Sequence, residues 1–194
     1  MPPKAKYSRE QIVNTALELV RKQGSDALTA RSLASALGTS TAPIFTAFTS
    51  IEELADAVAR KAFTLYEEYL ARGLTHPIPF KGTGLAYIRF AKDEPMLFRL
   101  LFVERKDADP IAHYLPGEGA HEEKVRDTVE GNYGLDGEEA RYIYNHLSVY
   151  VQGLASLFAY GRCVFTDEDV DRMLSEAFFA FKASVENKSK GGTQ

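Results

Sequence analysis

Between positions 8 and 72 apolar residues recur at three- and four-residue intervals, and Gly24, Gly38 and Pro43 cut the runs short. That spacing belongs to helices buried along one face. In "YSREQIVNTALELVRKQG" it aligns Ile12, Ala16, Leu19 and Val20. Ser8 and Gln11 are spaced as a capping box, Tyr7 is placed to staple against Ile12, and Gly24, preceded by Arg21 and Lys22, predicts a left-handed cap. "ALTARSLASALG" repeats the plan: Thr29 caps, Leu28 staples to Leu33, Leu33, Ala34 and Leu37 face inward, and Gly38 ends the helix. "TSIEELADAVARKAFTLYEEYL" opens on Ser50 and Glu53, a second expected capping box, and runs Leu54, Val58, Ala62, Leu65 and Tyr69 along one side.

Between these lies "TSTAPIFTAF", which is uncharged and too short to fold alone. Ser40 is placed to cap a short helix in which Pro43 falls in the first turn, where a missing N–H does little harm. Ile44 and Phe48 are expected inward; Thr41, Ala42, Phe45 and Thr46 face out. Two helices joined by a tight glycine turn, the second presented outward, form a helix-turn-helix. Small and hydroxyl side chains suit close approach to base edges and thymine methyls. The spacing alone leaves open an ordinary helical corner whose polar face is merely solvated.

Charge is divided along the chain. Residues 1–50 hold six basic and three acidic side chains, a net +3; the remainder holds 17 basic and 24 acidic, a net −7, for −4 in all. A basic end on an acidic body suggests an anionic partner for the first part alone.

Residues 8–62 resemble the DNA-binding domain of the TetR (tetracycline repressor) family of bacterial transcriptional regulators. "GSDALTARSLASALGTSTAPIFTAFTSIEEL" follows that family's pattern continuously through the motif and its flanking helices. The resemblance implies an all-α protein: a helix-turn-helix domain in residues 1–50 plus the start of a connecting helix (51–72), then a helical effector-binding and dimerisation domain over 51–194. It also implies a dimeric regulator, most simply a repressor, on palindromic double-stranded DNA, released by a small-molecule effector; the lone Cys163 fits a cytoplasmic location. The expected DNA-facing residues are Lys4, Lys6, Thr29, Arg31, Thr39, Ser40, Thr41, Ala42, Pro43, Phe45, Thr46 and Ser50. Three departures stand out. Phe45 replaces the usual tyrosine, Ile51 replaces the usual lysine, and the second helix carries no Lys or Arg. Each lost charged contact is expected to flatten the salt dependence by about one counterion.

Beyond residue 70, "ARGLTHPIPFKG" reads as a connection, "TGLAYIRFAKDE" and "PMLFRLLFVERK" as helices divided at Pro95, and "ADPIAHYLPGEGA" as a loop before a short helix over 122–133. Two long helices follow a turn at Gly134–Gly137. Asp136 with Glu139 caps the first, which carries Ala140, Ile143, Leu147, Val151, Leu154 and Phe158. Thr166 caps the second, which carries Val170, Met173, Leu174, Ala177, Phe178, Phe181 and Val185. By the resemblance these two helices pair with a second copy, so the candidate dimer contacts are Leu147, Val151, Leu154, Phe158, Met173, Leu174, Ala177, Phe178 and Phe181; closing the subunit's own core is the alternative. Gly153 and Ala155 suit close helix approach. Twofold readers of DNA present two heads about 34–36 Å apart. Candidate effector contacts are the apolar Tyr87, Phe90, Met96, Phe98, Leu101, Phe102, Tyr114, Tyr142, Tyr150 and Phe158, with Arg89, His113 and His146 as polar partners.

No run of 18 apolar residues suggests a membrane span. With Cys163 alone, no internal disulfide forms. The four histidines show no metal-ligand spacing, and no nucleophile elbow or phosphate loop is present. Neither cofactor nor metal is expected, and no catalytic constellation supports an enzyme. A helical dimeric adaptor with a degenerate head is the remaining alternative.

Overall fold

Helices form wherever a cap and an apolar stripe coincide. The computed structural model describes residues 7–104, 130–131 and 133–191, with side chains as far as 187. In chain order the helices are α1 (Arg9–Gln23), α2 (Ala30–Leu37), α3 (Ala42–Ala47), α4 (Ile51–Leu74), α5 (Pro79–Asp93), α6 (Pro95–Arg99), α7 (Gly137–Ala159) and α8 (Asp167–Gly191). A π-helical turn over Leu100–Glu104 continues α6, and the described residues contain no strand. The architecture is all-α, as expected.

The capping box of Ser8 and Gln11 forms. Tyr7 packs against the principal core, and its hydroxyl donates to the Leu37 carbonyl at 2.6 Å, tying the chain's entry to the end of α2. Gly24 sits at φ 86°, ψ 172° rather than in the left-handed helical region expected of it. That backbone is open essentially to glycine alone, and it turns the chain into a 3-10 turn over Ser25–Ala27 that the sequence pattern did not show. Thr29 caps α2 with Ser32 completing the box, and Gly38 ends it at φ 63°, ψ 40°.

Two expected caps differ. Ser40 does not cap α3: Thr41 precedes the helix with αR backbone and makes no side-chain capping bond. The helix starts one residue later than a Ser40 cap requires, so Thr41 occupies the cap position with helical backbone, and Pro43 removes one of the first-turn donors. At α4, Ser50 accepts from the Glu53 N–H at 3.1 Å, but the Glu53 carboxylate is drawn to Arg9 and Thr49 instead of closing the box.

The buried stripe of α4 is Leu54, Val58, Ala59, Ala62, Tyr66, Leu70 and Gly73; the expected Leu65 and Tyr69 are half-buried beside it. The connection expected over 71–82 shrinks to 75–78, because α4 runs to Leu74 and α5 begins at Pro79. Gly73 and Gly82 allow this. A Cβ on Gly73 would lie 2.5 Å from the Gly82 carbonyl oxygen and 2.8 Å from the Ala86 Cβ, so the two backbones touch where α4 crosses α5.

Capping boxes at Asp136–Glu139 and the Thr166 cap form as expected. The proposed short helix over 122–133 lies outside the described residues except for helical 130, 131 and 133. The principal core is continuous: Ile12, Val20 and Leu33 of the first helices join Tyr66, Phe90 and Phe98, then Leu154 and Leu174. A second cluster under α7 and α8 gathers Leu135, Ile143, Leu147 and Phe178.

Candidate DNA-binding site

The α2–turn–α3 unit is anchored from below. Ile44 (fully buried) and Phe48 hold α3 to the core, while Thr41, Ala42, Phe45 and Thr46 are exposed on its outer side. Phe45 is 50% exposed. The Thr46 hydroxyl donates to the Ala42 carbonyl at 2.9 Å, leaving its methyl and lone pairs outward. Thr29 and Ser50 spend their hydroxyls as caps. Arg31 and Ser40 are exposed, and Thr39 and Pro43 are half-buried in and after the turn. Lys4 and Lys6 lie outside the described residues.

One residue that sequence reasoning missed fixes the outward helix in place. Arg9, the first residue of α1, donates from Nη1 to the Ala47 carbonyl at 2.6 Å, closing the C-terminal end of α3. Its Nη2 donates to Glu53 Oε1 at 2.6 Å, and its guanidinium lies 4.0 Å over the Phe48 ring. Glu53 in turn accepts from the Thr49 N–H and hydroxyl at 2.7 and 2.8 Å. A cation in the first turn of a helix opposes the helix dipole. That mismatch was the available signal that Arg9 serves something outside α1.

The Arg9 guanidinium, with the two Thr49 donors, lowers the Glu53 carboxyl to about 2 from an ordinary 4.5. A depressed folded-state value means that this stabilisation is complete above about pH 4.5 and is lost as pH falls toward 2. Glu53→Gln is therefore expected to melt below the wild type at neutral pH, with the gap closing on acidification from pH 4.5 to 3. Thermal melts followed by circular dichroism read this directly. A gap undiminished at pH 3 would assign the effect to neutral hydrogen bonds.

Ile51, standing where a phosphate-binding lysine was expected, is half-buried and packs on the principal core. Its side chain strengthens the start of α4 against the head instead of reaching outward.

This outward helix on a braced helical base, carried by a larger helical body, is the helix-turn-helix of a DNA-binding regulator. Residues 12–58 match the family model for bacterial regulatory proteins of the tetR family. An uncharacterised HTH-type transcriptional regulator of Mycobacterium tuberculosis is 28% identical over 193 residues, 97% of this chain and 87% of that protein. Among solved structures, a TetR-like transcriptional regulator from a Rhodococcus species superposes with a TM-score of 0.64 at 14% identity, covering 92% of this chain and 97% of that one. A TetR variant from Acinetobacter baumannii in complex with minocycline gives 0.54 at 18% identity, covering 94% and 98%. Residues 12–58 thus carry a helix-turn-helix of the bacterial tetR regulatory type, and over nearly its whole length the chain is similar to an HTH-type transcriptional regulator.

The expected effector contacts separate into three groups. Tyr87, Phe90, Phe98 and Phe102 close on one another and on Tyr66, with ring centroids 5.0–6.4 Å apart, and Leu101 is buried with them. Burial pushes the Tyr87 phenol well above its ordinary range, and its hydroxyl bonds Gln152 of α7. Met96 is half-buried with its sulfur 3.6 Å from where a Gly24 Cβ would stand, and Tyr150 and Phe158 are half-buried on the core's edge. Arg89 is exposed, while His146 stacks between Tyr142 and Phe181 at the surface. His113 and Tyr114 lie outside the described residues.

The expected dimer contacts separate too. Leu147, Val151, Leu154, Leu174 and Phe178 are buried within the chain itself; Phe158, Met173, Ala177 and Phe181 are half-buried. The exposed row of α7 runs at four-residue spacing from Arg141 and Asn145 to Val149 (75%), Gly153 and Leu157, with His146 beside it and Tyr160 following. Among the described residues, nothing outside its own helical turn lies within 4 Å of the Gly153 Cβ position, while Ala155 is fully buried. From Tyr142 to Tyr160 this helix carries no Asp, Glu, Lys or Arg. On α8, Phe179 is 62% exposed.

Head and body are joined at the end of α1. Arg21 Nε donates to Glu94 at 2.8 Å, and the Ser25 hydroxyl donates to Glu104 at 2.6 Å, which also pairs with Arg99 at 2.7 Å. The last turn of α1 and the following 3-10 turn thus rest on the start of α6 and on the end of the π-helical turn that continues it, the segment that contributes Phe98 and Phe102 to the aromatic cluster.

Proposed function

We propose that the protein is a dimeric repressor that reads a palindromic DNA site in the cytoplasm and leaves it when a small molecule occupies the body. Residues 1–50 and the start of α4 are assigned to DNA, and 51–194 to effector binding and dimerisation. The observation that carries the reading is the exposed Thr41–Ala42–Phe45–Thr46 face, uncharged and held rigid by Arg9. Its small side chains fit base edges and thymine methyls, while Arg31 and backbone donors meet phosphates. The twofold partner covers the uncharged Val149–Gly153–Leu157 face of α7 and Phe179 of α8. Minocycline bound to a structural neighbour supports a small-molecule effector. Entry of such a molecule among the rings of α4, α5 and α6 displaces α6, and the contacts to Arg21 and Ser25 pass that displacement to the head.

Selection from random double-stranded DNA at two salt concentrations tests the reading. An enriched palindrome bound less tightly at high salt is the expected result. No enrichment from a folded dimer would favour the adaptor. Within an enriched site, Thr46→Ala is expected to change base preference, whereas Arg31→Ala weakens all sequences alike and lowers the salt slope by about one. Binding curves on matched and mismatched sites distinguish the two, and equal losses everywhere for both variants would refute this division of roles.

A further inference from the structure

A second site lies away from both the aromatic cluster and the recognition helix. Leu17 and Arg21 of α1 face Arg60, Lys61, Thr64, Leu65 and Glu68 of α4 across a groove of about 500 Å³. The α4 residues follow one another at four-residue spacing along one wall, so the groove runs for about 12 Å beside that helix. Its size falls in the range of small-molecule sites. The floor is apolar, from Leu17 and Leu65. Arg60 and Lys61 have no ion pair among the described residues, although this is an acidic protein. Arg21 on the opposite wall is held by Glu18 and by Glu94. Glu68 stands two turns along α4 from Arg60 and pairs only loosely with Arg72, at 3.9 Å.

We propose that this groove binds an amphipathic monoanion: a carboxylate or similar head group at Arg60 and Lys61, with an apolar chain laid over Leu17 and Leu65. The carboxylate of Glu68 at the far end discriminates against a second negative charge on the same ligand. The anion also draws on Arg21, whose other partner is Glu94 at the start of α6. Occupancy therefore competes with the Arg21–Glu94 contact that joins head to body. The existence of the site does not depend on the repressor reading, and its test needs no DNA.

The probe is octanoate, titrated into the ¹⁵N-labelled full-length chain and followed by amide shifts. The largest shifts are expected around Thr64 and Leu65 of α4 and Leu17 of α1. Arg60→Ala combined with Lys61→Ala should weaken binding roughly tenfold, since two exposed charge contacts are lost, and 1-octanol should bind no better than that variant binds octanoate. Glu94→Gln frees Arg21 and should tighten octanoate binding at least about twofold. Arg60 is exposed and Lys61 half-exposed, so the double variant keeps its fold, which its thermal melt checks. Shifts confined to α5–α7, affinity unchanged in the double variant, equal binding of octanol, or no binding would each overturn the proposal. An effect of the double variant without one of Glu94→Gln would overturn the competition with Glu94.

Discussion

Replacing Val149 and Leu157 together with lysine is expected to turn a dimer into a monomer of 21.5 kDa and to remove tight binding to a palindromic site. Both side chains are exposed in the single chain, Val149 at 75% and Leu157 at 41%, and the long stem of lysine can cover what Leu157 covers, so the protomer loses little packing by the change. A twofold interface applies each substitution twice, placing four ammonium groups in a surface that otherwise carries no charge between Tyr142 and Tyr160. One head alone keeps its contacts to one half-site but loses the effective concentration supplied by its twin, which is worth about 10²–10⁴ in affinity. Light scattering after gel filtration reports the mass, and titration of the selected site reports the affinity. A variant that stays dimeric would show that another surface holds the copies together. A monomer that binds the palindrome undiminished would show that dimerisation is not needed for reading DNA.

The second large effect is on stability, and its sign is the informative part. Alanine in place of glycine inside a helix ordinarily stabilises by about 0.5–1 kcal/mol. Gly73→Ala is expected to do the reverse, because its Cβ would stand 2.5 Å from the Gly82 carbonyl oxygen, a backbone atom that no side-chain rotation moves aside. Overpacking of this kind costs about 1–3 kcal/mol, which lowers Tm by roughly 2–12 °C for a chain of this size. Gly84→Ala on α5 is the matching control. Its Cβ would meet Val151 and Leu174 at 3.5 and 3.6 Å, ordinary contact distances, so it should raise Tm. If both variants are stabilised, α4 and α5 cross less closely than described.

The elements whose signals are local were legible in the sequence. Ser8–Gln11, Thr29 and Asp136–Glu139 cap as their spacing required, Gly38 ends α2, and Ile44 and Phe48 turn inward. Errors arose wherever a distant group competed. Glu53 was spaced to close a box with Ser50, but a guanidinium 44 positions earlier outcompetes a backbone N–H for its carboxylate. Gly73 and proline-rich 75–79 read as a loop because nothing along the chain shows that Gly82 lies against Gly73. For α7 and α8, periodicity identified the apolar stripe facing the chain's own core, and so selected Leu147 and Leu154. Val149 and Leu157, on the opposite side, interrupt that period and were passed over. Arg9 was hidden for the same reason: its partners are the end of α3, the start of α4 and a ring, none of them near it in sequence.

The unbroken core from Ile12 through Phe98 to Leu174 has a consequence for how such a regulator can diversify. Ile12, Val20 and Leu33 belong to the same packed body as the rings of α5 and α6, so residues 1–50 are no detachable cassette. A foreign reading head spliced onto this chain would have to arrive with a matching underside, including a glycine at position 24 and partners for Glu94 and Glu104. On the proposed reading, in which α3 meets DNA, changing its few exposed residues one at a time disturbs this shared core less than exchanging the whole head does.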